Sequence, residues 1–331
     1  GTVVCMLSTI HRRLSNLPSV DRACQAGAST PVTWAASALR RCMNEELRWN
    51  FDELVDMAVT GQVSQPAMRR GGYVHWPDGV GVILPGMHGI TYNARVGDRA
   101  FGWAGDHVEP GVSIANPDEQ ADYALHYLSC IGNEAEVVTG LARGARGVVT
   151  GEHARLLVDF PPEVLEEMTI GDTVQVRTRG RGLRLLSHPA LEFKQTSPSL
   201  ARALALEIQG NKVTCPVAME LPPRIMGSGA ELNAEFVDQD LMSGDRALMA
   251  ELGIDQMRLG DLIGIRNVDH RFGRSYRDGW VAICLCIHGD SVMTGHGPGI
   301  LTLITGPADL LDFHIEPETN IAHSLGIRGS T

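Results

Sequence analysis

Three short polar stretches hold most of the side chains in this sequence that could do chemistry. HGDSVMTGHGPG, residues 288–299, sets His288, Asp290 and His296 among four glycines, directly after the apolar run Trp280–Ile287. GWAGDHVEPGVSI carries His107 and Glu109, and VDHRFGRSYRDG carries Asp269, His270, Arg274 and Tyr276. An imidazole and a carboxylate two residues apart, with a third histidine nearby, make half a coordination shell for zinc or a similar divalent ion. Alternate residues of an extended segment share a side, so His107 and Glu109 could share a ligand in the same way.

These residue types point first to an enzyme that hydrolyses an amide or other C–N bond of a small polar metabolite with metal assistance. His107, His288, Asp290 and His296 are the expected metal ligands. Asp269, His270 or Glu109 would act in acid–base catalysis, and Arg274 would orient a substrate carboxylate through paired hydrogen bonds. Tyr276, Ser228 and Asn93 complete the expected substrate contacts. Ser228 lies in LPPRIMGSGAE, where flanking glycines could expose consecutive backbone amides to an anion; Asn93 follows the glycine turn of LPGMHGITYN.

Two other readings fit the same residues. An Asp269–His270 pair could run a metal-free isomerase, cyclase or lyase step. Alternatively, the polar loops of a non-catalytic ligand-binding or oligomeric protein could form subunit contacts, with Asp290 merely capping a turn. Convergence of the histidines in space separates these readings.

Composition removes several classes. No lysine follows a glycine, so the phosphate-binding Gly-Lys loop is absent, and no G-x-G-x-x-G, G-x-S-x-G or H-E-x-x-H occurs. Only two lysines exist, Lys194 and Lys212, which argues against pyridoxal phosphate. No nucleotide or flavin is expected. The chain carries a net charge of −11, so nucleic acid is not an expected partner. No apolar run approaches the ~20 residues that span a bilayer. A soluble cytoplasmic protein is therefore expected, with a small-molecule ligand, reduced cysteines and a homo-oligomeric state.

Residues 1–42 carry five arginines and one aspartate, unlike the acidic remainder. They read as an extension outside the fold, translated ahead of a start at Met43 or removed as a transit peptide. The 37 glycines and 5% aromatics suggest many turns between short strands. A short helix is expected from Asn50 or Asp52 through Ala58, and another over PDEQADYALHYLSCIG, ended by Gly132. EAEVVTG, RGVVTGE and RLLVDF read as strands. An apolar residue followed by Gly-Asp and alternating apolars occurs at TIGDTVQVRTRG, RLGDLIGIRN and, more weakly, VGDRAFGW. This is an architectural repeat of hairpin entries. The expected fold is β-rich α+β, with small β-barrel-like domains and short peripheral helices. An N-terminal domain would span 43–187 and a C-terminal domain 188–331.

The motifs VILPGMHGITYNARVGDRAFGWAGDHVEPGVSI, GNEAEVVTG, PRIMGSG and DHRFGRSYRDGWVAICLCIHGDSVMTGHGPGILTLITG together resemble the domain-of-unknown-function family DUF 4438, over about residues 52–328. The resemblance implies a β-rich bacterial or archaeal protein and brings no assigned reaction or catalytic residues.

Overall fold

The N-terminal strands close on themselves. In the computed structural model, which describes residues 47–68, 72–76, 78–229, 235 and 238–328, β1 (Met57–Val63) pairs antiparallel with β9 (Thr173–Thr178) from Met57↔Thr178 to Gln62↔Thr173. The order continues through β6 (Glu134–Val137), β7 (Arg146–Glu152), β8 (Leu156–Asp159) and β5 (Gly111–Ala115). β5 then returns to β1 at Val63↔Ile114, which makes a closed six-stranded barrel without free edges. β4 (Ile90–Thr91) extends β5 outside the barrel, and β2 (Val74–His75) and β3 (Gly81–Val82) form a separate hairpin. Val112, Ile114, Val137, Val149, Val158, Val174 and Val176 are buried in the main core.

The expected extension, residues 1–42, lies outside the described residues. The helix expected through Ala58 is only a 3-10 turn, Phe51–Glu53. So short a segment cannot nucleate a helix in competition with the six β1–β9 pairings, which recruit Met57 onward as strand. The second expected helix forms over Glu119–Leu128, with Asp118 accepting the Ala121 N–H at 2.9 Å. It stops before Gly132: the Asn133 side chain takes the Cys130 N–H at 2.8 Å and turns the chain toward β6.

The C-terminal half is built on β15 (Leu262–Val268), β16 (Tyr276–His288) and β17 (Gly299–Pro307), an antiparallel meander. β10 (Glu192–Phe193) and β14 (Asp238–Asp240) add to β17, while β13 (Met219–Leu221) pairs parallel with β15. A smaller sheet holds β11 (Glu207–Gln209), β12 (Lys212–Val217) and β18 (Leu311–Ile315). The run WVAICLCI is unbroken because both faces of β16 are covered. Val281, Ile283, Leu285 and Ile287 join the core shared with the barrel, and Ala282, Cys284 and Cys286 join a second core with Leu221, Ile263 and Met257.

The Gly-Asp repeat is one turn used three times. In Arg95–Asp98, Thr169–Asp172 and Arg258–Asp261 the glycine takes a positive φ of 97°, 92° and 86°. In each, the aspartate carboxylate accepts the backbone N–H three residues earlier, at 2.8, 2.8 and 2.7 Å. The first and third turns also join each other, since Gly97 N–H donates to Leu259 O and Leu259 N–H to Asp98 O. This contact ties the segment before β5 to the segment before β15. Among the described residues no helix is long and apolar enough to cross a membrane.

Candidate metal centre

Where the barrel meets the C-terminal sheet, five chain segments bring histidines and aspartates together. Asp238 and Asp240 are alternate residues of β14 and so share one of its faces. In register, Asp240 pairs with Gly299 on β17, and Gly299 pairs with His288 at the end of β16. The central residue of this row has no side chain, and the His288 ring lies across it. A Cβ built on Gly299 would fall 2.0 Å from His288 Nε2, so only glycine lets His288 and Asp240 meet over β17. His153 follows the end of β7, His107 precedes β5, and His296 lies in the β16–β17 connection.

Three of the four imidazoles are held through Nδ1. His107 Nδ1 donates to Asp106 Oδ2 at 3.0 Å, His153 Nδ1 to Glu109 Oε1 at 2.7 Å, and His288 Nδ1 to Gly289 O at 2.9 Å. Each hydrogen bond fixes the tautomer that leaves an Nε2 lone pair directed into the cluster, the usual arrangement behind metal-ligating histidines. The orienting carboxylates are themselves anchored. Glu109 Oε2 accepts the Ser113 hydroxyl at 2.5 Å and the His88 N–H at 2.8 Å, while Asp106 Oδ1 accepts the Ser291 hydroxyl at 2.7 Å.

Two groups of ligand atoms result, His107–Asp240–His296 and His153–Asp238–His288, each with all its atoms within 4.8 Å of one another. Asp240 serves both. Its Oδ2 lies 3.4 Å from His107 Nε2 and 2.6 Å from His296 Nδ1, and its Oδ1 lies 3.2 Å from His288 Nε2. Donors about 2.1 Å from one tetrahedral ion stand roughly 3.4 Å apart; the His107 and His288 separations match this, while the 2.6 Å His296–Asp240 contact is that of a charge-assisted hydrogen bond. Asp240 Oδ1, His288 Nε2 and both Asp238 oxygens are buried without a hydrogen-bond partner among the described residues.

The electrostatics are those of buried anions facing imidazoles. Burial pushes the Asp238 carboxyl up to about 7, against the pull of His288. Burial also acts to raise Asp106, but its hydrogen bonds with His107 and Ser291 hold it down at about 2. Glu109 lies below the usual carboxylate range, because the His153 and His88 contacts outweigh its complete burial. Among the described residues, Glu109, Asp238 and Asp240 have only histidines as charged partners. His296, with 19% of its side chain exposed, is the ligand candidate that opens toward solvent.

Of the residues expected from sequence, His107, His288 and His296 converge here. Glu109 stands behind His153 instead of beside His107, because His107 adopts φ 53° and breaks the extended pattern that would have aligned the two. Asp290 faces away from the cluster. Its carboxylate accepts Ser243 Oγ at 2.6 Å and pairs with Arg246 at 2.6 Å, since the strand ends at His288 and the two-residue alternation ends with it. Its backbone still helps the site, accepting the His107 N–H at 3.0 Å.

The VDHRFGRSYRDG residues lie elsewhere. Asp269 is engaged by Arg271 and Arg277, with contacts of 2.9–3.1 Å, and His270 Nδ1 meets Thr302 Oγ1 at 2.7 Å, so the two do not form a hydrogen-bonded dyad. Arg274 and Tyr276 line a separate pocket with His270. The glycines around Ser228 expose no amide nest. Gly227 N–H donates to Asp240 O and Ser228 N–H to Gly295 O, so these amides tie the segment to β14 and to the β16–β17 connection. Asn93 is exposed on the surface.

Family models for the N-terminal and C-terminal domains of DUF4438, a domain of unknown function, match residues 73–202 and 203–325. The chain belongs to the DUF4438 family. It is also similar to a solved structure titled "Crystal structure of TM1086", at 37% identity and a TM-score of 0.80, over 84% of this chain and 98% of that one. No curated protein matches the chain.

Sequence reasoning missed Asp238, Asp240 and His153. The first two form a D-x-D pattern, VDQDL, whose alternating carboxylates in a strand-like context are a metal-site signal. His153, in TGEHA, had no neighbour in sequence to mark it; its partners come from residues 109, 238 and 288.

Proposed function

We propose that this protein is a metal-dependent hydrolase acting on an amide or related C–N bond of a small polar metabolite, with residues that would hold two divalent ions. The observation that carries the reading is Asp238. A fully buried carboxylate whose two oxygens have no hydrogen-bond partner among the described residues, set within reach of His153 and His288, calls for a cation. His153, Asp238 and His288 would hold one ion, and His107, Asp240 and His296 the other. Their mix of imidazole nitrogen and carboxylate oxygen suits zinc, manganese or iron more than magnesium or calcium. Such a pair of ions supplies an acidified water and polarises a carbonyl.

The chain's own groups do the positioning. Asp106 and Glu109 keep His107 and His153 in the ligating tautomer, and Gly299 leaves room for His288. The partly exposed His296 marks the side from which water and substrate reach the centre. Glu109 is already committed to His153, His88 and Ser113, which leaves it no role as a base. A panel of N-acyl amino acids, lactams and ureido acids, assayed with protein reconstituted with zinc or manganese, tests the reaction. Chelator-sensitive hydrolysis of at least one class supports it. A fully metal-loaded protein that turns over none of them would remove the hydrolase reading while leaving the metal centre standing.

A further inference from the structure

On the opposite face of β14 lies a second polar pocket that the metal centre does not use. Gln239, between Asp238 and Asp240, points away from them by strand alternation and lines a cavity of about 150 Å³ with His270, Arg274 and Tyr276. A cavity of this size takes a ligand of about six heavy atoms, such as benzene.

Its polar groups are built into the fold, and each keeps hydrogen-bonding capacity unused among the described residues. Gln239 is 6% exposed, and its Oε1 makes no hydrogen bond among the described residues. His270 is 1% exposed and holds Thr302 through Nδ1, with no partner for Nε2 among the described residues. Arg274 is anchored through Nη1 to Gly227 O at 2.8 Å, and no described carboxylate pairs with it. An anchored guanidinium without a counterion, in a chain of net charge −11, is complementary to an anion. The unpaired Gln239 carbonyl, buried beside it, is complementary to an N–H donor.

We propose that this pocket binds a small carboxylate carrying an amine or amide N–H, a compact amino acid or amido acid. The carboxylate sits on Arg274 and the N–H on Gln239. The site has no residue in common with the metal centre, although β14 and β16 contribute to both, so the proposal does not depend on the hydrolase reading.

Calorimetric titration of the full chain with alanine, and with propionate as the analogue without nitrogen, tests this. Alanine is expected to bind saturably and propionate about tenfold or more weakly, because the Gln239 carbonyl is left unpaired. Arg274→Gln should weaken both ligands by at least about tenfold, and Gln239→Leu should erase the difference between them. Binding should persist in chelator-treated protein. Failure of alanine to bind, propionate binding as tightly as alanine, affinity unchanged in both variants, or binding abolished by chelation would each overturn the proposal; the last would move the ligand to the metal centre.

Discussion

Asp240 Oδ1 and His288 Nε2 stand 3.2 Å apart, and neither has an aligned hydrogen-bond partner among the described residues. The two side chains come from strands that are not neighbours and meet over Gly299, the residue between them in the sheet. Buried polar atoms this close would ordinarily bond to each other. A divalent ion bound by both would satisfy the two atoms together.

Gly299→Ala tests that arrangement with a single methyl group. The new Cβ would fall 2.0 Å from His288 Nε2, so the ring must leave the row. Zinc affinity, measured by competition with a chromogenic chelator, should drop by about tenfold or more. Overpacking should also cost roughly 1–3 kcal/mol in a denaturant melt. Unchanged affinity in a folded variant would show that His288 is not a ligand.

The carboxylates behind the histidines should matter almost as much as the ligands. Glu109→Gln and Asp106→Asn each remove a charged acceptor from an imidazole Nδ1. Each should weaken metal binding by about 10–100-fold. Asp290→Asn should leave affinity nearly unchanged, because that carboxylate serves Ser243 and Arg246. Equal losses in all three variants would point to general loosening of the loops.

Acid stability should carry a signature of His270. Burial drives its ring down to about 4 from the usual 6.5, with Asp269 pulling up and Arg274 pushing down. The folded state therefore keeps the ring neutral while the unfolded chain takes a proton. This contribution is intact above pH 6.5 and is lost progressively as the pH falls toward 4, by up to roughly 3 kcal/mol. His270→Gln should flatten the fall in melting temperature over that window. A variant that follows the wild-type profile would show that His270 is not held neutral.

The barrel was legible because its strands alternate or carry β-branched runs, and because two of the three Gly-Asp turns lead directly into strands, β9 and β15. Half of the candidate centre was legible for a similar reason: His107, His288 and His296 sit in glycine-rich loops where imidazoles stand out. The other half was hidden. Asp238 and Asp240 depend on β14 adding to β17, a pairing set by tertiary contact across some sixty residues that no local pattern reveals. Asp290 illustrates the opposite error. Its spacing from His288 suits a shared ligand only if the strand continues, and it does not.

The central claim is that this cluster holds divalent metal. Untagged protein purified without chelator and analysed by inductively coupled plasma mass spectrometry should carry about two transition-metal ions per chain. Asp240→Asn should lose most of both, and chelation should lower the wild-type melting temperature by several degrees while barely moving the variant. Protein with substoichiometric metal, unable to take up zinc, manganese or iron and insensitive to chelation, would contradict the account.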